Sequence, residues 1–290
     1  MARTKDAYVP ELIHPSTLDE AASELERLGE DGEPIAGATW VMLGPLYRRP
    51  TKMHYVAVGR LSELTGIAID GESASIGAAV TFSQLADSVD TNGPFAALSE
   101  AALGTPRAIG NVATVGGNIC VHPYPAADLV PALLVLDASI DVRTGDVATT
   151  QKLDELSNVP LGPGSLLTGV SAKAASSSAL SCHERLTVRA SGEEAVASVA
   201  LALELDGGAI KSARIAFGAL ETRSRRCAEV EAALVGSALG DETAIAAGNL
   251  AAEALDVVGG PDAPADYKRQ ILPGLMKRAL TRLAANGKDA

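Results

Sequence analysis

Two short runs of small residues are the places where this sequence could hold an anion. One is Ile109-Gly110-Asn111-Val112-Ala113-Thr114-Val115-Gly116-Gly117-Asn118. Adjacent glycines carry no Cβ, so main-chain N–H groups there can come close to a ligand. Thr114 and Asn118 flank the pair with a hydroxyl and an amide, donors suited to phosphate oxygens. The other is Ala36-Gly37-Ala38-Thr39, which follows the apolar Pro34-Ile35 and again offers bare backbone and a hydroxyl. A diphosphate can be gripped this way without a cationic side chain. For either run alone a tight turn or a close-packed strand end competes with that reading; two in one domain favour a ligand. Neither run has the spacing of a Rossmann fingerprint or a P-loop.

The other reactive side chains are dispersed. His183-Glu184 lacks the second histidine that a zincin helix needs, and His14 and His54 have no partner in the sequence. Cys120, Cys182 and Cys227 lie far apart without CxxC spacing. That argues against a disulfide framework, a zinc site or an iron–sulfur cluster held by this chain, and fits a reducing, cytoplasmic setting.

The elements that must position the two runs alternate between strand and helix. Leu18, Ala21, Ala22, Leu25 and Leu28 repeat at helical spacing behind a Thr17/Glu20 capping box, with Gly29 and Gly32 at the exit. Pro34 to Thr39 reads as a strand and small-residue turn, Tyr55 to Val58 and Ser75 to Val80 as strands, and Thr81 with Gln84 as a second box. Phe95 to Leu103 reads as helix, 104–118 as loop, and an apolar segment then ends at the strand Ser139 to Val142. Around 171–184 the composition shifts to Ala and Ser, a flexible connection by composition. Beyond it, Ala195 to Leu205 and Ile210 to Leu220 pair around Asp206-Gly207-Gly208. Helices follow over Arg225 to Leu239, Thr243 to Leu255 and Tyr267 to Ala284, the last kinked or split at Pro273.

At 290 residues the chain has room for two domains. Apolar residues at 47% and charged residues at 21% describe a folded globular protein. The net charge of -12 repels phosphate backbones and disfavours nucleic acid as a partner. No run approaches the roughly 20 apolar residues of a membrane helix, and MARTKDAYVP has no apolar signal region.

Several of these segments, in order, resemble one family. Thr114-Val115-Gly116-Gly117-Asn118 followed by Ala126-Ala127-Asp128-Leu129 and Pro131-Ala132-Leu133-Leu134 is similar to the flavin loop of the FAD-binding subunits of molybdenum hydroxylases, the family of the carbon monoxide dehydrogenase medium subunit and the xanthine dehydrogenase flavin domain. Ser75 to Thr81 resembles its strand and helix start, and Leu161 to Thr168 its lead-out from the flavin domain. Phe217-Gly218-Ala219, Ala228-Glu229 with Leu234-Val235-Gly236, and Asp266 to Arg269 with Arg278-Ala279-Leu280 resemble its C-terminal domain.

The resemblance implies an α+β protein: a two-subdomain α/β FAD-binding domain of the PCMH (vanillyl-alcohol oxidase-like) type, then a smaller α+β domain with an antiparallel sheet and helices. The expected layout is 1–172 for the FAD domain (subdomains 1–53 and 54–172), 173–184 for a linker and 185–290 for the C-terminal domain. By the same resemblance, FAD lies between the subdomains, its diphosphate on Ile35, Ala36, Gly37, Ala38 and Thr39 and on Thr114, Val115, Gly116, Gly117 and Asn118. Asp128 falls where relatives contact the cofactor, or serves as the N-cap of the segment after it, and Arg185 falls near the flavin. No catalytic residue and no metal ligand is expected here. Molybdopterin and [2Fe–2S] clusters belong to a large and a small partner subunit, in a dimer of heterotrimers. The sequence departs from the family pattern at Ala38, which replaces a glycine, and by one extra residue between Asn118 and Asp128. There, His122-Pro123-Tyr124-Pro125 forms either a stiffened surface loop or a segment that places His122 or Tyr124 near the isoalloxazine. Trp40 is a cofactor neighbour or a core or interface aromatic; Arg223, Arg225 and Arg226 form a solvated face or a subunit contact. Two other functions stay open: a free-standing FAD-dependent oxidoreductase, and a flavin-free scaffold subunit.

Overall fold

The computed structural model describes residues 9–44, 46, 49–122, 124–156, 161–189 and 194–286. Its first lobe contains β1 (Glu11–Ile13), α1 (Leu18–Leu28), β2 (Gly32–Ile35), α2 (Thr39–Met42) and β3 (His54–Ala57). The three strands form a parallel sheet in the order β1-β3-β2. Thr17 Oγ1 accepts from the Glu20 amide, as a cap should, but the Glu20 carboxylate accepts from Ser16 N–H, one residue outside the expected box. Ala21 and Leu25 of α1 pack on Val56, Val58, Leu61 and Leu64. That small core fixes where β2 ends and α2 begins.

The second lobe runs through β4 (Ile67–Asp70), β5 (Ser73–Gly77), α3 (Phe82–Ser88), α4 (Ala96–Leu103), α5 (Arg107–Gly110), α6 (Val115–Cys120), α7 (Leu129–Val135), β6 (Ser139–Thr144), β7 (Val147–Lys152), α8 (Leu153–Leu156) and β8 (Ser165–Lys173). Its five strands form one antiparallel sheet, β4-β5-β8-β6-β7. The Thr81/Gln84 box is complete on both sides. The stretch 104–118, read as loop, contains α5 and α6; both are short turns of helix whose glycines hide them from a propensity reading.

The C-terminal unit consists of β9 (Leu180–Leu186), β10 (Ala197–Asp206), β11 (Ala209–Gly218), β12 (Arg225–Arg226), α9 (Ala228–Leu234), α10 (Asp241–Ala254) and α11 (Ala265–Asn286). Its antiparallel sheet, β12-β11-β10-β9, has two unlike faces. Val199, Leu201, Ile215 and Phe217 join the core under the C-terminal helices, while their small neighbours Ala200 and Ala216 join the core of the second lobe, against α7. The period of two places large residues on one side and alanines on the other, so α7 packs close to the sheet. Two sequence expectations change here. The Ala/Ser stretch is strand at both ends, with only 174–179 between β8 and β9, because Leu180 and Cys182 are core residues of the new sheet. And α11 continues through Pro273 without splitting. A Cβ on Gly248 of α10 would lie 2.4 Å from Pro273 Cα, so the two helices touch backbone to backbone. The buried face from Leu272 to Leu283 offsets the roughly 3 kcal/mol that an interior proline costs. Among the described residues no helix is long and apolar enough to cross a membrane.

Candidate functional site

A cleft of about 1180 Å³ opens between the lobes, with the C-terminal sheet at its inner end. Ile35, Ala36, Gly37, Ala38 and Thr39 line it from the first lobe, Thr114, Gly117, Asn118 and Asp128 from the second, and Arg185 from β9. Val115 and Gly116 are buried and do not reach it. The two small-residue runs thus converge on one cavity.

They contribute differently. In the first run, a Cβ on Gly37 would lie 1.7 Å from the Val112 carbonyl oxygen, so only glycine lets the two loops meet. Ala38 follows at φ 59°, a left-handed conformation that costs an alanine roughly 1–2 kcal/mol. The amides of Gly37, Ala38 and Thr39 donate to no other described residue. Three N–H groups at a cleft wall can receive an anion.

The second run uses most of its amides internally. Val115 N–H donates to Val80 O at 2.9 Å, Gly116 N–H to Ala78 O at 2.8 Å and Asn118 N–H to Thr114 O at 3.0 Å. Gly117 N–H donates to Thr114 Oγ1 at 3.1 Å. This run is a shaped floor more than a set of donors. Gly116 is needed because a Cβ there would sit 2.8 Å from that of Ala78. Asn118 Oδ1 accepts from Leu129 N–H at 3.1 Å and caps α7. The cap is therefore Asn118, and Asp128 makes no cap hydrogen bond.

Asp128 turns instead toward the C-terminal sheet. Its Oδ2 lies 2.8 Å from Arg185 Nη1, which also donates to Gly104 O at 2.7 Å. Its Oδ1 lies 3.9 Å from His183 Nε2, and neither atom has a hydrogen-bond partner among the described residues. Burial pushes the Asp128 carboxyl up to about 6, with Arg185 pulling the other way. Burial lowers His183 to about 3, helped by Arg185 and Arg282. At neutral pH the pair is a carboxylate facing a neutral imidazole. Sequence reasoning passed over His183; the available signal was its i,i+2 spacing to Arg185, which puts both on one face of a strand.

The outer wall is aromatic. Trp40 and Tyr124, from opposite lobes, have ring centroids 5.1 Å apart at 54°, and the Arg49 guanidinium lies 5.2 Å over Trp40. Tyr124 also packs on Ala126, Ala195 and Ala219, while His122 is exposed at the rim. Arg49 and Lys52 line the cleft as well, cations that the reading of the two loops left out. The basic cluster near β12 is spoken for within the chain: Arg225 pairs with Glu221 and Arg226 with Glu231. His54, expected to be alone, pairs with Glu11. Among the described residues no His/Cys/Asp/Glu group could hold a metal ion.

Comparison with known proteins adds the following. The model of the FAD binding domain in molybdopterin dehydrogenase matches residues 7–171, and that of the CO dehydrogenase flavoprotein C-terminal domain matches 185–283. The chain is 26% identical to the carbon monoxide dehydrogenase medium chain of Afipia carboxidovorans, over 95% of this chain and 96% of that one. It is 24% identical to the glyceraldehyde dehydrogenase medium chain of Sulfolobus acidocaldarius, over 96% of this chain and all of the other. Carbon monoxide dehydrogenase from Hydrogenophaga pseudoflava has a chain of the same fold, with a TM-score of 0.87, 25% identity, and coverage of 96% of this chain and 98% of that one.

Proposed function

Since the chain belongs to the FAD-binding medium subunits of the molybdenum hydroxylases, we propose that it is the station where electrons from a small [2Fe–2S] subunit leave for an external acceptor. Those electrons originate in substrate oxidation on a large molybdopterin-binding subunit. The reading rests on three unengaged amides, at Gly37, Ala38 and Thr39, that face the floor formed by Thr114, Gly117 and Asn118. The cavity of about 1180 Å³ exceeds the roughly 300–1,000 Å³ of ordinary small-molecule sites, as a dinucleotide requires.

The chemistry that FAD supplies when bound is reversible electron uptake; the protein binds, orients and tunes it. Gly37, Ala38 and Thr39 hold the diphosphate by amide hydrogens, with the Thr39 hydroxyl as a further donor. Gly117 lets the cofactor lie against bare backbone, while Val115 and Gly116 support that floor from behind. Arg185 keeps the Asp128 carboxylate in place at the inner end. Trp40 and Tyr124 close the outer side and keep water from the cleft.

The C-terminal match over 185–283 supports the subunit reading against a free-standing flavoenzyme. Co-expression with its partner chains should yield one complex carrying molybdopterin, [2Fe–2S] clusters and FAD, with the FAD lost on deletion of this chain. A yellow chain that stays alone in the presence of those partners and oxidises an organic substrate by itself would refute the proposal.

A further inference from the structure

Behind the inner end of the cleft, the unpartnered Asp128 Oδ1 and His183 Nε2 face each other at 3.9 Å, and both side chains are buried. Asp128 precedes α7 and His183 lies on β9, so the docking of the C-terminal sheet sets their distance. Arg185 faces the pair from β9, 2.8 Å from Asp128 Oδ2. Glu100 of α4 accepts from the His183 amide at 2.7 Å. Arg282 of α11 reaches the His183 carbonyl at 3.5 Å and bridges Glu100 at 3.0 Å and Glu184 at 2.5 Å.

Building on the FAD reading above, we propose that His183 is a positioning residue for the cofactor: it holds the free carboxylate oxygen of Asp128 toward the cleft, where that oxygen accepts a hydrogen bond from an N–H or hydroxyl of the bound flavin nucleotide, so that the grip depends on pH. In its Nε2–H tautomer, His183 donates to Asp128 once their separation shortens to the ~2.9 Å of a hydrogen bond. Burial keeps His183 neutral, so the titrating group is Asp128. A donor on the ligand favours the ionised carboxylate; binding in acid must therefore expel a proton, and affinity falls as pH drops below the carboxyl's value in the free protein.

The test is FAD titration of the full-length chain, followed by the emission of Trp40. Between about pH 8 and about pH 5, binding should weaken about tenfold, with a midpoint near 6. Asp128→Asn should flatten the profile. His183→Leu should weaken binding at neutral pH and move the midpoint upward, because the carboxylate loses a donor. His183→Gln, which keeps an N–H near the same point, should restore the wild-type profile. A flat wild-type profile overturns the proposal. So does a His183→Leu chain with an unmoved midpoint, including one weakened equally at every pH, which is what a merely structural histidine would give. If His183→Leu does not fold, the wild-type profile and the His183→Gln midpoint decide. A chain that takes up no FAD at any pH defeats the cofactor reading instead.

Discussion

Replacing Gly37 by alanine tests the cleft at the point where its two loops meet. The added Cβ would lie 1.7 Å from the Val112 carbonyl oxygen and 2.5 Å from its carbon, whereas ordinary contact begins near 3.4 Å. One loop must move by more than an ångström, and neither is free to do so. Val112 and Ala113 both donate to Ile109 O, and Phe82 N–H donates to Ala113 O. On the other side, Val58 N–H holds Ile35 O and Met42 N–H holds Ala38 O. Overpacking of this kind costs about 1–3 kcal/mol, a fall of roughly 2–4 °C in melting temperature per kcal/mol. The effect on FAD should be larger. A hydrogen bond to a charged group contributes about 1.5–3 kcal/mol, so misaligning two of the three amides removes at least ~3 kcal/mol, or about a hundredfold in affinity. Gly66→Ala is the control, since nothing lies within 4 Å of a Cβ there. Thermal melts of the apo chain and FAD titrations of both variants provide the readout. If Gly37→Ala melts and binds FAD as the wild type does, the amides of this loop do not hold the cofactor and the reasoning fails.

The chain has one tryptophan, and it lines the cleft, so FAD binding should quench nearly all of the intrinsic tryptophan emission; an unchanged spectrum at saturation would place the cofactor elsewhere. Arg185→Met leaves a buried carboxylate without its cation, which should destabilise by about 3–5 kcal/mol. The loss also raises the folded-state value of Asp128 beyond its already elevated position, and a carboxyl so raised regains stability as pH falls through that value; the deficit should be largest near about pH 8 and shrink near about pH 5 in melts of the variant. Gly116→Ala puts a Cβ 2.8 Å from that of Ala78, behind the floor, so it should lower the melting temperature with a smaller loss of FAD affinity than Gly37→Ala; the reverse order would contradict the assignment of donors to the first loop.

The helix boundaries and both glycine runs were readable because their signals are local: Thr81 with Gln84, the period of Leu18 to Leu28, and the paired glycines at 116 and 117. What escaped depends on contacts far apart in the chain. Leu180 to Glu184 read as linker because serine and alanine are weak strand formers, yet register with β10 makes them a central strand. Asp128 looked equally apt as a cap or as a cofactor contact, since both need only an acid before a helix. Asn118, ten residues earlier, took the capping role, and no local pattern encodes that exchange. His183 was uninformative alone and gained meaning only when β9 carried it to Asp128.

The two small-residue runs look interchangeable in sequence, and their difference follows from what each backbone abuts. The second run crosses the end of β5 and surrenders its amides to Ala78 and Val80, so its glycines serve close packing. The first run leaves the edge of a parallel sheet and turns through Ala38 into α2, with no strand beside it to accept those hydrogens. An unpaired amide at a solvent-filled cleft is tolerable, while a buried one is not; hence the donors for an anion collect on the loop that lacks a neighbour. The same logic explains why Ala38 persists at positive φ. A glycine would relax the backbone there but widen the range of conformations open to the unfilled loop, and the alanine holds three amides in one direction before any ligand arrives.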